Sequence, residues 1–230
     1  MTTFMIDLAT LAIIVFCCWR GYRNGLIRGV FGVVTLFVAL IIANIAAMAY
    51  TDDVSGAIKP FVSGLVDSTY SDMVEEANIE YEEVDYKNDS EEFKLAYTTL
   101  RRIGLPESAA IRIAERAVND ISEDFIADII ADKLSSVLAF VVLFGIAFLL
   151  TAIIFSVIGN LINFVFSLPG LKLVDTIAGI AFGLIKGFLI VLTLATIVRY
   201  LGLLAISTLE ETTVLKYFVD HNLIANMLGI

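Results

Sequence analysis

Positions 137–158 read VLAFVVLFGIAFLLTAIIFSVI, an apolar run without a single charged residue. A helix rises 1.5 Å per residue, so about 20 such residues cross the roughly 30 Å hydrocarbon core of a bilayer. The run is apolar on every side, whereas a helix on the surface of a soluble core keeps one polar face. It therefore reads as a membrane span. Working outward from it, three further runs have the same character, at 4–19, 29–50 and 176–204, and the central run itself extends over 134–166. The composition agrees: 59% of the chain is apolar and its mean hydropathy is +0.89, against about 45–50% apolar residues in an ordinary soluble domain.

The charge sits in one place. Residues 51–133 carry 20 Asp and Glu against 8 Lys and Arg, a net −12, while the remainder carries 5 acids and 7 bases. The sequence thus divides between two phases, lipid and water. An acidic balance of this size excludes nucleic acid as a partner, because phosphate recognition needs basic surface. The fold class expected is an all-α integral membrane protein. Four transmembrane helices form two hairpins, with an acidic, mostly helical segment outside the bilayer between spans two and three. The expected organisation is a first hairpin at 1–50, the acidic segment at 51–133, a second hairpin at 134–204 and an amphipathic tail at 205–230.

Short connections set orientation, because their basic residues stay on the cytoplasmic side. Arg20, Arg23 and Arg28 follow the first run, and Lys172 lies between the third and fourth. The amino terminus, the acidic segment and the tail are then extracytoplasmic, with Arg199 the dissenting charge. A cleaved signal peptide would place its bases before the apolar run, so the first run reads as a retained span.

Within the acidic segment, Ile111, Ala114, Val118, Ile121, Phe125 and Ile129 recur at helical spacing. Pro106 and Glu107 suit the first turn of that helix, which is expected to run on into the third span. Asp85, Asn88, Asp89 and Glu91 lack the glycine and spacing of a calcium loop. The tail from about 210 to 228, with Leu215, Phe218, Leu223, Ile224, Met227 and Leu228, reads as one short helix on the membrane or on the acidic segment.

Residues 25–36 (GLIRGVFGVVTL) align with 183–194 (GLIKGFLIVLTL), identical at seven of twelve positions and conserving charge at Arg28 and Lys186. Glycines extend the match at spacing four: Gly21, Gly25 and Gly29 in one copy, Gly179, Gly183 and Gly187 in the other. Spacing of four puts each triplet on one helix face. In lipid, small residues let helices approach closely, so these faces are candidates for helix packing, between spans two and four or between copies of the chain. A substrate path along them is the sharper alternative. Both copies leave a basic connection and head outward, which makes them parallel repeats of the kind found in some transporters.

The remaining candidate residues are charges at or inside the membrane: Asp7, Arg20, Arg23, Arg28, Asp175, Lys186 and Arg199. Arg28 and Lys186 read as anchors whose long stems lie in lipid and whose heads reach water. Asp7 and Arg199 are expected to pair, since charges within a membrane seek partners. Asn44, Asn160 and Asn163 are candidates for bonds between helices. Adjacent Cys17 and Cys18 form no disulfide framework and no metal set, and read as small apolar helix residues. His221, the single histidine, has no nucleophile or acid at a recognisable spacing. No catalytic, cofactor or metal site is expected, and the chain does not read as an enzyme.

Ile6-Asp7, the segment Arg20-Gly21-Tyr22-Arg23-Asn24-Gly25 and the stretch from Val174-Asp175-Thr176 through Gly179, Gly183 and Lys186 to Gly187 resemble the colicin V production family. The resemblance spans the four apolar runs and leaves out the acidic middle. It implies a multi-pass protein of the bacterial cytoplasmic membrane, connected with envelope homeostasis and with production of a secreted antibacterial peptide. Two functions follow as expectations. One is a scaffold or accessory factor acting through other membrane or extracytoplasmic proteins. The other is a small transporter or channel working as an oligomer. Beyond the lipid bilayer, such proteins and further copies of the chain are the partners to look for.

Overall fold

The computed structural model describes residues 2–75, 90–105, 107–119, 126–162, 172–204 and 206–228. All elements among the described residues are helices: α1 (Thr2–Glu75), α2 (Glu91–Ile103), α3 (Glu107–Asn119), α4 (Ile126–Ile162), α5 (Lys172–Tyr200), α6 (Ile206–Glu211), α7 (Val214–Asp220) and α8 (Leu223–Leu228). Among them, three are long and apolar enough to cross a membrane, over Thr3–Met73, Ile126–Gly159 and Asp175–Tyr200. The runs at 4–19 and 29–50, read from the sequence as separate spans, both fall inside α1. They are nonetheless divided. Gly25 has φ 75° and ψ −176°, so two helices meet there, in a conformation that is open in practice to glycine alone.

Two compact units are present. The first comprises Met1–Ala47, Leu143–Ile197 and Ser207–Gly229; the second comprises Met48–Val142 and Val198–Ile206.

In the first unit, Ile14 and Cys17 of α1 meet Gly187, Cys17 also meets Gly183, and Gly21 meets Gly179. As the α1 number rises the α5 number falls, so the opening part of α1 runs antiparallel to α5. Beyond Gly25 the order reverses, Gly29 meeting Phe182 and Gly32 meeting Lys186. The chain thus turns back on itself at Gly25. Phe31 packs on Gly159 of α4, and Ile197 of α5 packs on Gly145, which sets α4 antiparallel to α5.

Burial follows the pattern of a helix between protein and lipid. Val33, Leu36, Ala39, Ala43 and Ala47 are buried, whereas Val34, Phe37, Ile41, Ile45 and Met48 are exposed. Alanines inward and large apolar residues outward suit a bundle whose helices approach closely and whose outer face meets acyl chains. Hydroxyls bond within their own helices, Thr10 to Ile6 O, Thr193 to Leu189 O and Thr196 to Leu192 O, which satisfies them without water. Asn44 lies half-buried beside Ala43, and Asn163 is outside the described residues.

In the second unit the described residues of the acidic stretch are mostly helical. Ser90 caps α2 by accepting from Phe93 N at 3.3 Å, with Glu91 and Glu92 in the first turn and Arg101 and Arg102 in the last. Acids at the start and bases at the end complement the helix dipole. Gly104 ends α2 at φ 107°, a left-handed cap. α2 packs on α3, and Met73, Phe93, Leu100, Ala110, Ile113, Ala117 and Ile130 are buried. An exposed ion pair joins Lys59 of α1 to Asp132 of α4 at 2.9 Å.

Of the expected helix running from Glu107 into the third span, residues 107–119 are described as α3 and residues 126–162 as α4, with Ile121 and Phe125 outside the described residues. Its buried face centres on Ala110, Ile113, Ala114 and Ala117, and Ile111 and Val118 flank it half-exposed. Pro106, and Asp85, Asn88 and Asp89 of the stretch compared with a calcium loop, also lie outside the described residues.

The tail departs from expectation. In place of one helix over 210–228 it forms α6, α7 and α8, and residues 207–228 belong to the first unit. Leu215, Phe218 and Ile224 are buried, while Leu223 is 66% exposed. The break between α7 and α8 has a local cause. The Asn222 side-chain Oδ1 accepts from Ile224 N and Ala225 N, both at 3.1 Å, so it caps α8 as a new helix.

Candidate functional site at the glycine junction

A helix that begins at Leu26 exposes backbone N–H groups with no partner in the preceding turn. Asp175, in the first turn of α5, supplies one: its Oδ1 accepts from Leu26 N at 2.7 Å. The carboxylate occupies the space that a Cβ on Gly25 would need. The turn at Gly25 and the start of α5 are therefore one construction, and its negative charge complements the positive end of the helix it caps.

The structure brings all six repeat glycines to this junction. A Cβ on Gly21 would run into Gly179 O, one on Gly179 into Gly21 O, and one on Gly183 into Cys17 O. At Gly187 it would stand 3.2 Å from Ile14 Cα, and at Gly29 2.8 Å from Phe182 Cβ. Gly183 and Gly187 meet the part of α1 before the break, and Gly21 and Gly25 lie before and at it. The packing partners are thus the first run and α5 as well as the second run. Gly25 and Gly183 are equivalent in the repeat, but only Gly25 leaves the helical conformation.

The charges separate into two groups. Near the junction, Arg20, Arg23 and Arg28 are exposed, and the Arg23 guanidinium lies 5.3 Å from the centre of the Trp19 ring. Lys186 is half-buried, its Nζ 3.5 Å from where a Gly32 Cβ would be. At the other end of the first run, Asp7 caps α7. Its Oδ2 accepts from Thr213 N at 2.8 Å, and its Oδ1 accepts from Val214 N at 3.0 Å and Leu215 N at 3.1 Å. Both oxygens are taken by the tail, where the sequence reading expected Arg199. The Arg199 guanidinium lies over the Tyr200 ring at 5.8 Å.

Asn222, which sequence reasoning passed over, and Phe218, from the expected apolar face, hold the tail. Asn222 Nδ2 donates to Leu192 O at 3.1 Å and to Thr196 Oγ1 at 2.9 Å, and Phe218 meets Phe188 edge-on with ring centres 5.1 Å apart. An Asn directly before Leu-Ile-Ala is a helix-start signal, so the cap at least was available in the sequence. The capping role of Asp175 had no local signal, because its partner lies 149 residues away. Cys17 and Cys18 are free thiols. Among the described residues no cluster of His, Cys, Asp and Glu is placed to hold a metal ion. What the arrangement does chemically is to cap helix ends and gather cations beside a tight crossing.

No curated protein and no solved structure matches the chain. A family model described as colicin V production protein matches residues 108–223. The match runs from α3 through α4 and α5 into the tail, taking in Asp175, Gly179, Gly183, Lys186, Gly187 and Asn222. It leaves out Asp7 and the segment 20–25 that carried part of the resemblance, and adds α3 and the tail, which did not. With half of its length matched, and with three apolar helices of membrane-crossing length, this multi-pass membrane chain belongs to the colicin V production protein family.

Proposed function

We propose that the chain is a four-span scaffold or accessory factor of the bacterial cytoplasmic membrane, serving envelope maintenance or secreted-peptide production through the proteins it binds. Four crossings are supported by the reversal at Gly25, which divides the apolar part of α1 into two antiparallel runs. They are supported again by the contact of Asp7 with α7. An even number of crossings returns the tail to the side of the membrane where the chain begins. With Arg20, Arg23 and Arg28 at the cytoplasmic turn, the amino terminus, the acidic unit and the tail are extracytoplasmic.

The observation that carries the scaffold reading is the use made of the two membrane-helix acids. Asp7 and Asp175 both cap neighbouring helices, whereas a coupled transporter keeps intramembrane acids for its ion. The acidic unit, with Asp67, Asp72 and Glu115 exposed, offers a docking surface outside the bilayer. An oligomeric transporter or channel is the competing reading, and half-buried Lys186 is the feature in its favour.

Two assays separate them. Purified chain in liposomes is tested for ion and peptide flux, and a deletion strain is complemented and scored for detergent sensitivity and secreted-peptide yield. The scaffold reading expects no flux and loss of complementation when Asp67, Asp72 and Glu115 are all changed to Lys. Flux that disappears in Lys186→Gln would establish the transporter instead.

A further inference from the structure

The two polar fastenings of the tail give its depth. The apolar stretch of α5 runs over Asp175–Tyr200, so its middle falls at Gly187. Asn222 bonds to Leu192 O and Thr196 Oγ1, and at 1.5 Å per residue these stand about 8 and 14 Å beyond that middle. The opening part of α1 passes Gly187 at Ile14 and Cys17. Asp7 lies two turns before Ile14, hence about 10 Å or more from the same level. It lies on the same side as Leu192, because the two helices run antiparallel. Asp7 holds the start of α7 and Asn222 follows its end, so both ends of α7 are held at one level. The helix therefore lies across α1 and α5, in the plane of the membrane. Half of a hydrocarbon core is about 15 Å, which sets α7 just inside the boundary between acyl chains and headgroups.

The exposed flanks of α7 differ as this depth requires. Residues four apart share a flank: Lys216 and Asp220 form one, Tyr217 and His221 the other, and all four are exposed. The aromatic flank is the deeper one. Phe218 meets Phe188, beside the middle of α5, with ring centres 5.1 Å apart. Tyr217 stands edge-on to Phe218 at 5.8 Å, and His221 stacks on Tyr217 at 4.7 Å. Phe188 is 39% exposed and Tyr217 58%. An open aromatic row thus leads from the middle of the bilayer toward its edge, the level at which tyrosine concentrates. The charged flank is left on the side of water. Helices that lie in the interface are divided in this way, with the apolar face sunk about 5–10 Å into the headgroup boundary. A soluble partner has no access at this depth, where acyl chains surround the protein.

We infer that α7 is an interfacial helix. Its Tyr217–His221 flank, with exposed Leu223 at the start of α8, lies against bilayer lipid, and Lys216 and Asp220 stand among the headgroups. The inference rests on α5 crossing the bilayer; it depends neither on the scaffold reading nor on which leaflet the tail meets.

The test removes the single tryptophan by Trp19→Phe and returns one tryptophan at a time to the full chain. The reporters are Tyr217→Trp, Leu223→Trp, Lys216→Trp and, on α5 at the same depth, exposed Leu194→Trp. Each variant is placed in phosphatidylcholine vesicles whose acyl chains are brominated near the glycerol end or near the chain terminus, and acrylamide is added separately. Tyr217→Trp and Leu223→Trp are expected to lose fluorescence about twofold or more in lipid brominated near the glycerol end, as an interfacial position implies. They should lose less in the other lipid and little with acrylamide, whereas Lys216→Trp should respond mainly to acrylamide. Quenching of Tyr217→Trp and Leu223→Trp by acrylamide alone, with Leu194→Trp still quenched by lipid, overturns the interfacial helix and leaves the crossing of α5 in place. Shielding of both tail reporters from lipid and acrylamide overturns it in favour of a protein on this face, a second copy of the chain included. Equal lipid quenching at Lys216→Trp overturns the division of flanks. Absence of lipid quenching at Leu194→Trp removes the crossing, and the inference with it.

Discussion

At Gly25 the backbone sits at φ 75° and ψ −176° with the Asp175 carboxylate where a side chain would begin. Two costs fall on any substitution there. An L-residue in this conformation costs about 1–3 kcal/mol, and its Cβ collides with Asp175. Gly25→Ala is therefore expected to destabilise the protein in detergent by more than Asp175→Ala. The latter removes one cap, worth about 0.5–2 kcal/mol. The two changes should not add, because removing the Asp175 side chain also removes the collision. Chemical denaturation of both single variants and the double variant measures the coupling. Strict additivity would mean that the carboxylate does not lie over Gly25. At the same scale, Asp7 and Asp175 show why charge inventories mislead in membranes. Each was visible as an acid at a helix end, and each spends its charge on the N–H groups of a helix remote in sequence.

Among the helices, glycines matter where backbones touch and are incidental elsewhere. A Cβ on Gly183 would strike the carbonyl of Cys17, a backbone atom that cannot swing aside, whereas Gly56 and Gly64 face open space in the later part of α1. Gly183→Leu should force α1 and α5 apart, with a loss of about 1–3 kcal/mol or more as an overpacked contact. Gly56→Ala and Gly64→Ala should each gain up to about 1 kcal/mol from helix propensity. Unfolding midpoints of the three variants test the contrast, and a neutral Gly183→Leu would remove the crossing from the account. The same comparison shows what a sequence can disclose. Glycines at spacing four announce a packing face, because helical periodicity is local information. Which of two matching glycines breaks its helix is not local. Gly25 and Gly183 open the same motif, Gly-Leu-Ile-base-Gly, and only Gly25 has an acid from another helix waiting at the next N–H.

For the first unit as a whole, the tail is the fastening that the sequence concealed most fully. Apolar residues at 215, 218 and 224 were legible as a buried face, but their destination was not, since amphipathicity fixes which side is buried and leaves open against what. Two polar fastenings supply the answer: Asp7 holds the start of α7, and Asn222 bonds to Leu192 O and Thr196 Oγ1 on α5. Losing either leaves polar groups without partners, at about 1–3 kcal/mol for each buried one. If the tail docks as one body, releasing one fastening frees the other, because α7 and α8 are too short to persist alone. Asp7→Ala and Asn222→Ala should then each raise hydrogen exchange across 212–225, with the double variant exceeding the larger single effect only slightly. Exchange confined to 213–215 in Asp7→Ala and to 222–225 in Asn222→Ala would instead show two independent attachments. Under that result, the tail would report separately on the first run of α1 and on α5, and the pairing of amino terminus with tail would rest on Asp7 alone.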